Sequence, residues 1–363
     1  MDDHGAEIAL LISSYERPRN LACVLASVAR QQCAPERMEL VITDDGSSDE
    51  SLAIVSEFAA QAEFSVKLTT HVHAEFQISR CRNEGVVVSS APYLLFVDGD
   101  CVLPSDHVTA HLRHRRPSTV MAGDCCRLAE STSALVDPET LSDEVLRRWE
   151  PAAERRRLRH QLWKAWYYQL TRHRTKPKLI GNNVGIWRND YETINGFDEH
   201  YVGWGCEDDD LRLRVRKAGM QVRSILGSTY TYHLWHPPVE TCYPNWHDGR
   251  NVTYYAETAN RPARCRDGLR PEGANVDLHS DRPLSHRSPF AEVVFHPGRA
   301  IFSGRAHWNV LIVENRNVLP LGGASQAHLV LDRDEAHTIV GRLRKLIHEA
   351  PATRRGKLLR RAG

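Results

Sequence analysis

The chain has 363 residues, room for one large α/β domain with an appendage or for two domains, and its 47 lysines and arginines stand against 46 acidic residues, a formal net charge of +1. That balance excludes a dedicated nucleic-acid binder with a broad basic face. The nine cysteines are odd in number and include no CxxC pair, which excludes a disulfide framework and fits free thiols in a reducing compartment.

The N-terminal stretch MDDHGAEIALLISSYERPRN has too few apolar residues behind its acidic start for a signal peptide or a membrane span. A cytoplasmic location is expected, with any membrane contact peripheral. Residues 8–12 and 40–43 are unbroken apolar runs of the length of buried parallel strands. Between them Leu21, Val24, Leu25 and Val28 form a helical stripe behind Pro18. Residues 51–60 read as a helix, 65–70 as a strand, 78–88 as a helix with Ile78, Cys81, Gly85 and Val88 inward, and 93–97 as a fourth strand. Repeated βα units predict a doubly wound, mostly parallel α/β sheet, in which ligands bind beyond the carboxyl ends of the strands.

Three polar clusters sit at such ends. Ser13, Ser14 and Tyr15 follow the first strand, and Asp44, Asp45 and Gly46 the second. Together they could hold a nucleobase, Tyr15 stacking on it and Asp45 accepting a base N–H, although each cluster alone is more often an ordinary turn or packing. Asp98, Gly99 and Asp100 follow the run YLLFV. One carboxylate there can reach a divalent ion and the other a ribose, while the glycine admits a diphosphate; a plain strand-end turn weighs equally. Arg80, Arg82 and Asn83 precede that strand, and an arginine there could pair with a phosphate, although a solvated helix face is the commoner role. His111, Arg113, His114, Arg115 and Arg116 read as a basic surface helix, and residues 122–127 as an edge strand.

Residues 141–173 are helical and strongly basic, with Trp149, Trp163, Trp166, Tyr167 and Tyr168 among the arginines and Pro151 marking a start. Such interleaving could grip an anionic acceptor or rest on a membrane surface; a helix packed by its aromatics with arginines in water is the commoner arrangement and is favoured. Residues 178–187 read as a strand carrying Asn182 and Asn183 past the floor of a site. The stretch NGFDEHYVGWGCEDDDLRLRVRKAG, residues 195–219, sets Glu207, Asp208, Asp209 and Asp210 at the mouth of a helix whose inner face is Leu211, Val215 and Ala218. Capping and the helix dipole explain one or two of the four carboxylates. The others, behind the turn of Gly203, Trp204 and Gly205, suit a pocket that grips a ring beside a base. A strand over 221–226 follows, then His233 and His236 in TYHLWHPPVE, spaced so that both imidazoles can reach one ion or one an ion and the other a phosphate.

Taken together these segments resemble the inverting glycosyltransferases of the GT-A fold, family 2 type. ALLISSYERPRN and VITDDGSSDES resemble that family's opening strand and first acidic turn, and SRCRNEGV with YLLFVDGDCVLP its arginine–asparagine helix and metal-binding DxD. Residues 195–219 resemble the acceptor module of galactosyltransferase and chondroitin-polymerase-like members, with Ser13 and Ser14 where the family usually has proline and threonine and Cys206 where glycine is common. The resemblance spans residues 8–238 and implies a Rossmann-like GT-A sheet with helices on both faces. It implies transfer, with Mn2+ or Mg2+, from a nucleotide-diphosphate sugar, expected to be a UDP-sugar, to a hydroxyl of a glycan, lipid-linked or small-molecule acceptor in polysaccharide or lipopolysaccharide assembly. Ser13, Tyr15, Asp45, Arg82 and Asp98 would contact the donor, and Asp100, His236 and His233 the metal. Trp204 and Glu207 would hold the sugar, Asp209 the acceptor, and Asp208 would be the catalytic base, leaving Asp210 to cap the helix. The alternatives are a sugar nucleotidyltransferase, which has no use for the GWGCEDDD block, and a non-catalytic nucleotide-sugar binder. Residues 1–256 are expected to form the transferase domain, with a nucleotide-sugar half over 1–125 and an acceptor half over 126–256. Residues 257–290 read as a linker or loop, and 291–363 as a small α+β appendage with strands at VVF, AIF, VLIV and HLVL, a helix over 335–347 and a basic tail. Nothing in the sequence fixes an oligomeric state.

Overall fold

The structure is a computed structural model that describes residues 5–71, 73, 75–173, 175–237, 249–258 and 260–269, and the strands at 276–280, 291–292, 308–313 and 329–332. Strands β1 (Ile8–Ser14) and β2 (Met38–Asp44) are buried at every position, the reason they read as unbroken apolar runs. Helix α1 (Pro18–Ala29) carries the chain between them, starting on a proline whose missing N–H has no intrahelical partner to lose. Helix α2 (Ser51–Gln61), β3 (Ser65–Thr70), α3 (Ile78–Val88) and β4 (Tyr93–Asp98) complete a parallel block in the order β3-β2-β1-β4. The two-residue alternation of β1 divides the core. Ile8, Leu10 and Ile12 pack with Val24 and Leu25 of α1, whereas Ala9 and Leu11 pack with Val86 and Val88 of α3, so helices cover both faces as expected.

The second half supplies β5 (Cys101–Val102), α4 (His107–His114), β6 (Thr119–Ala122), β7 (Cys125–Arg127), α5 (Glu130–Ser133), α6 (Asp143–Trp149) and α7 (Ala152–Leu170). It continues through β8 (Asn183–Trp187), α8 (Arg188–Thr193), α9 (Glu207–Lys217), β9 (Gln221–Ser224), β10 (Thr231–His233) and α10 (Arg250–Thr258). The main sheet runs β3-β2-β1-β4-β8-β6-β9, with β8 antiparallel to both neighbours and β9 parallel to β6. A small sheet, β5-β10-β7, pairs His233 with Cys101 and so ties the end of β10 to the residue after Asp100.

Three expectations change. The helical stretch over 141–173 is two helices broken at Glu150, which is extended because the proline after it disfavours helical backbone. In α4, His107 and His111 are buried and bonded to Thr229 Oγ1 (2.8 Å) and Asn183 Oδ1 (3.0 Å), so that of the basic cluster Arg113 is exposed on the helix and Arg116 just beyond it. The strand over 122–127 is split: Ala122 ends β6 inside the main sheet, and Cys125 begins β7 at the edge of the small one.

Strands β11 (Val276–Ser280), β12 (Ala291–Glu292), β13 (Trp308–Val313) and β14 (Leu329–Asp332) form a parallel sheet in the order β12-β11-β13-β14. VLIV and HLVL fall in β13 and β14 as read, while β11 lies inside the stretch read as a linker, its VDLHS alternation masked by flanking proline and glycine. The VVF and AIF runs, the helix over 335–347 and the basic tail lie outside the described residues.

Candidate active site

β1, β2 and β4 end in register, with Ser13 beside Thr43 on one side and Asp98 on the other. Their polar ends therefore open on one edge of the sheet. A cavity of about 1290 Å³ runs along that edge, and every residue singled out above as a donor, acceptor, metal or base residue lines it.

On the donor side Asp45 is already wired. His71 Nε2 is 2.7 Å from Asp45 Oδ1, and the Gln77 N–H donates to Oδ2 (3.0 Å). His71 Nδ1 meets Glu84 (3.0 Å), and Glu84 in turn accepts from Arg80 Nε (2.8 Å). Burial alone would lower the His71 pKa, but the Glu84 and Asp45 carboxylates raise it to about 9. The Tyr15 ring stacks on His73, centroids 4.1 Å apart. Gly46, at φ +81°, lets this turn lie against the His71–His73 backbone, where a Cβ would meet His71 O and His73 N at 2.4 Å. The two histidines were not singled out from sequence, although HVHAEF directly follows β3 and the strand-end rule applies to it equally. Asp45, His71 and Cys81 also come within 4.8 Å of one another. With both His71 nitrogens engaged and burial pushing the Cys81 thiol far above its usual pKa, that set is a closed hydrogen-bonded network rather than an ion site.

Asp100 organises the metal side. The Gly99 N–H donates to Ser13 O (2.7 Å), and a Cβ on Gly99 would come within 2.8 Å of that oxygen, so the turn lies flat against β1. The Leu234 N–H donates to Asp100 O (2.8 Å) and, with the β5–β10 pairing, delivers both histidines. His233 Nε2 lies 3.6 Å from Asp100 Oδ1, and His236 Nε2 3.2 Å from Oδ2. One carboxylate and two imidazoles with donor atoms within 4.8 Å form a set that fits a divalent ion of the manganese-to-zinc series. Burial would raise the Asp100 pKa, but His236, His233 and Arg17, whose Nη1 is 2.7 Å from Oδ2, hold it down to about 2. Arg17 also went unread, since nothing in ERPRN signals a partner more than eighty residues away.

On the side expected to hold the acceptor, α9 is entered through Cys206, which has φ +74° and no side-chain cap, a left-handed conformation that glycine adopts without strain. Asp208 Oδ2 accepts from the Gly181 N–H (2.7 Å), and Oδ1 from Arg82 Nη1 (3.2 Å). Arg82 Nη2 donates to Asp98 Oδ1 (3.2 Å), and its buried guanidinium lies 4.7 Å from the centre of the Phe197 ring. Arg82 thus joins the two acidic clusters, a bridging position the sequence did not indicate. Burial raises the pKa of Asp208, opposed by Arg82 and the Gly181 N–H. Burial and the Asp208 charge push Glu207 to about 8. Asp209 faces out and pairs with Arg212 (2.6 Å), and Trp204 is 44% exposed at the cavity rim. Asp210 is not a cap; it is buried and accepts from Arg214 Nε (2.6 Å), one turn along. Asn182 lines the cavity, whereas Asn183 turns away to His111.

Validoxylamine A glucosyltransferase of Streptomyces hygroscopicus subsp. limoneus is 26% identical over 278 residues, 74% of this chain and 59% of that protein. Chondroitin synthase of Escherichia coli is 23% identical over 259 residues, 68% of this chain and 37% of that protein. The chain thus spans less than two thirds of these relatives' length. The solved mannosyltransferase PcManGT of Pyrobaculum calidifontis, in complex with GDP-Man and Mn2+, has 13% identity and a TM-score of 0.45, covering 61% of this chain and 55% of that one. The model of the family described as glycosyltransferase like family 2 matches residues 22–241, from α1 through the acidic turns to the histidine pair. That segment is more than half of the chain, and the protein belongs to the glycosyltransferase like family 2.

Proposed function

We propose that the protein is a metal-dependent inverting glycosyltransferase that moves a sugar from a UDP-sugar to a hydroxyl of a glycan, lipid-linked or small-molecule acceptor, in polysaccharide or lipopolysaccharide assembly. One observation carries the reading: Asp208 and the Asp100, His233 and His236 set open on the same cavity, Asp100 from the first half of the domain and the other three from the second. The two relatives, named as a glucosyltransferase and a chondroitin synthase, support sugar transfer.

In this reading Asp208 takes the proton of the acceptor hydroxyl as its oxygen bonds to the anomeric carbon. The bond from that carbon to the diphosphate oxygen breaks on the opposite face, so configuration inverts and no enzyme nucleophile is needed. The Gly181 N–H and Arg82 fix the two Asp208 oxygens, and the raised pKa brings this base nearer neutral pH. Tyr15, backed by His73, stacks on the base that Asp45 bonds, while Ser13, Arg82 and Asp98 contact ribose and phosphates. Trp204 and Glu207 hold the sugar, and Asp209 faces the acceptor. Asp100, His233 and His236 would hold Mn2+ or Mg2+, the imidazoles favouring manganese; the ion supplies positive charge to the departing diphosphate. Residues 1–256 form the transferase domain in this proposal.

A thermal-shift and hydrolysis screen of nucleotide sugars with and without manganese tests it, because a ligand bound only to the folded state raises the melting point by mass action. One UDP-sugar should both stabilise the protein and hydrolyse only with the ion. No response to any nucleotide sugar would overturn the reading, and released pyrophosphate would favour a nucleotidyltransferase.

A further inference from the structure

We propose that the outward face of α7 docks on an anionic lipid surface. The inner face of this helix buries Leu158 and Ala165. The outer face carries Trp163, Trp166, Tyr167 and Leu170, spaced i, i+3, i+4 and i+7, exposed by 62%, 54%, 62% and 85%. The sequence favoured aromatics packed inward; the structure turns three of them out with Leu170 instead, as one contiguous apolar stripe rather than scattered surface residues.

The same stripe continues toward the N-terminus as cations. Arg156 and Arg159 are exposed, as is Arg172 just past the C-terminal end, and none has a carboxylate partner among the described residues. The helix has one acid, Glu154, and it is taken by Arg157 (3.0 Å) and the Arg127 N–H (2.9 Å). The face therefore combines large apolar area with charge that nothing on its own surface neutralises.

That combination selects among occupants. A second copy meeting this face symmetrically would set arginine near arginine, Arg156 against its own image in a parallel pair or against Arg172 in an antiparallel one. A soluble anionic glycan would use the cations and stack on the rings, but it would leave Leu170, the most exposed residue of the stripe, in water. An anionic bilayer uses both parts: phosphates meet the arginines, Leu170 and the indoles enter the headgroup boundary, and the indole N–H and phenol O–H stay hydrated. No helix among the described residues is long and apolar enough to cross a membrane, so the contact is one of lying on the surface.

The test is co-sedimentation of the full chain with vesicles of phosphatidylcholine alone and of phosphatidylcholine with phosphatidylglycerol. The protein should bind the anionic vesicles only, and release as salt rises. Arg156→Gln and Arg159→Gln should each weaken binding about five-fold. Trp163→Ser, Trp166→Ser and Leu170→Ser combined should abolish it. All five positions are solvent-facing, so unchanged melting curves should show intact folding. Absence of vesicle binding overturns the proposal, as does binding undiminished in both sets of variants, which assigns the contact to another segment. A dimer dissolved by the triple serine variant, or binding to heparin without binding to vesicles, likewise overturns it.

Discussion

Asp208 works under opposing influences, and its pH behaviour follows from their balance. A general base acts ionised, and burial has raised this carboxyl above the ordinary 3.8. Turnover should therefore fall at low pH along an acid limb displaced upward from that of a free aspartate. Arg82 opposes the rise, so Arg82→Gln should move the limb further up; a kcat/KM profile unmoved by this change would remove Arg82 from that role. Cys206 offers a stability test at the same scale. Its left-handed backbone costs about 1–2 kcal/mol for a residue with a Cβ, and glycine gives back about 0.5–1 kcal/mol in backbone entropy. Cys206→Gly should thus gain up to about 1 kcal/mol in urea unfolding, and a loss would mean that the thiol's contacts outweigh the strain. The carboxylates and the histidine pair were legible because they stand at strand ends or in a motif. Arg17 was not, because its partner lies more than eighty residues away and leaves no local pattern, whereas His71 and His73 follow β3 directly and stand within reach of the same strand-end rule.

Strand β4 shows how an element carries the site. Phe96 is fully buried with ring centroids 5.3 Å from Tyr191 and 5.8 Å from Phe197, the residue that supports Arg82. Phe96→Ala should cost about 3–5 kcal/mol in denaturant unfolding, and a loss below about 1 kcal/mol would mean that this core layer collapses freely around the cavity. The end of β3 makes stability pH-dependent. His71 is raised from 6.5 to about 9 in the folded state, so its contribution is complete below about 6.5 and is lost as pH rises through 9. The melting temperature should decline across that interval more steeply in the native protein than in His71→Gln; parallel curves would contradict this assignment. The βα block could be read because buried parallel strands and amphipathic helices have distinct periods. The inward histidines of α4 escaped, since tertiary contacts rather than local pattern decide them, and strand β11 did because proline and glycine flank it, whereas the second helix start at Pro151 was readable locally.

At the scale of the molecule, two sequence halves build one cavity. The parallel block brings Tyr15, Asp45 and Asp98, the small sheet brings the histidines to Asp100, and α9 brings Asp208, with Arg82 joining Asp98 to Asp208 across the middle. That convergence was expected from the order of the motifs, whereas the arginine bridge came from the fold. The proposed role of Asp208 as the base of this shared site is decided by turnover of a UDP-sugar by Asp208→Asn with manganese. Donor affinity should stay close to that of the unaltered protein while turnover falls by about 10²–10⁴-fold. Turnover within a few-fold of the unaltered protein would contradict it.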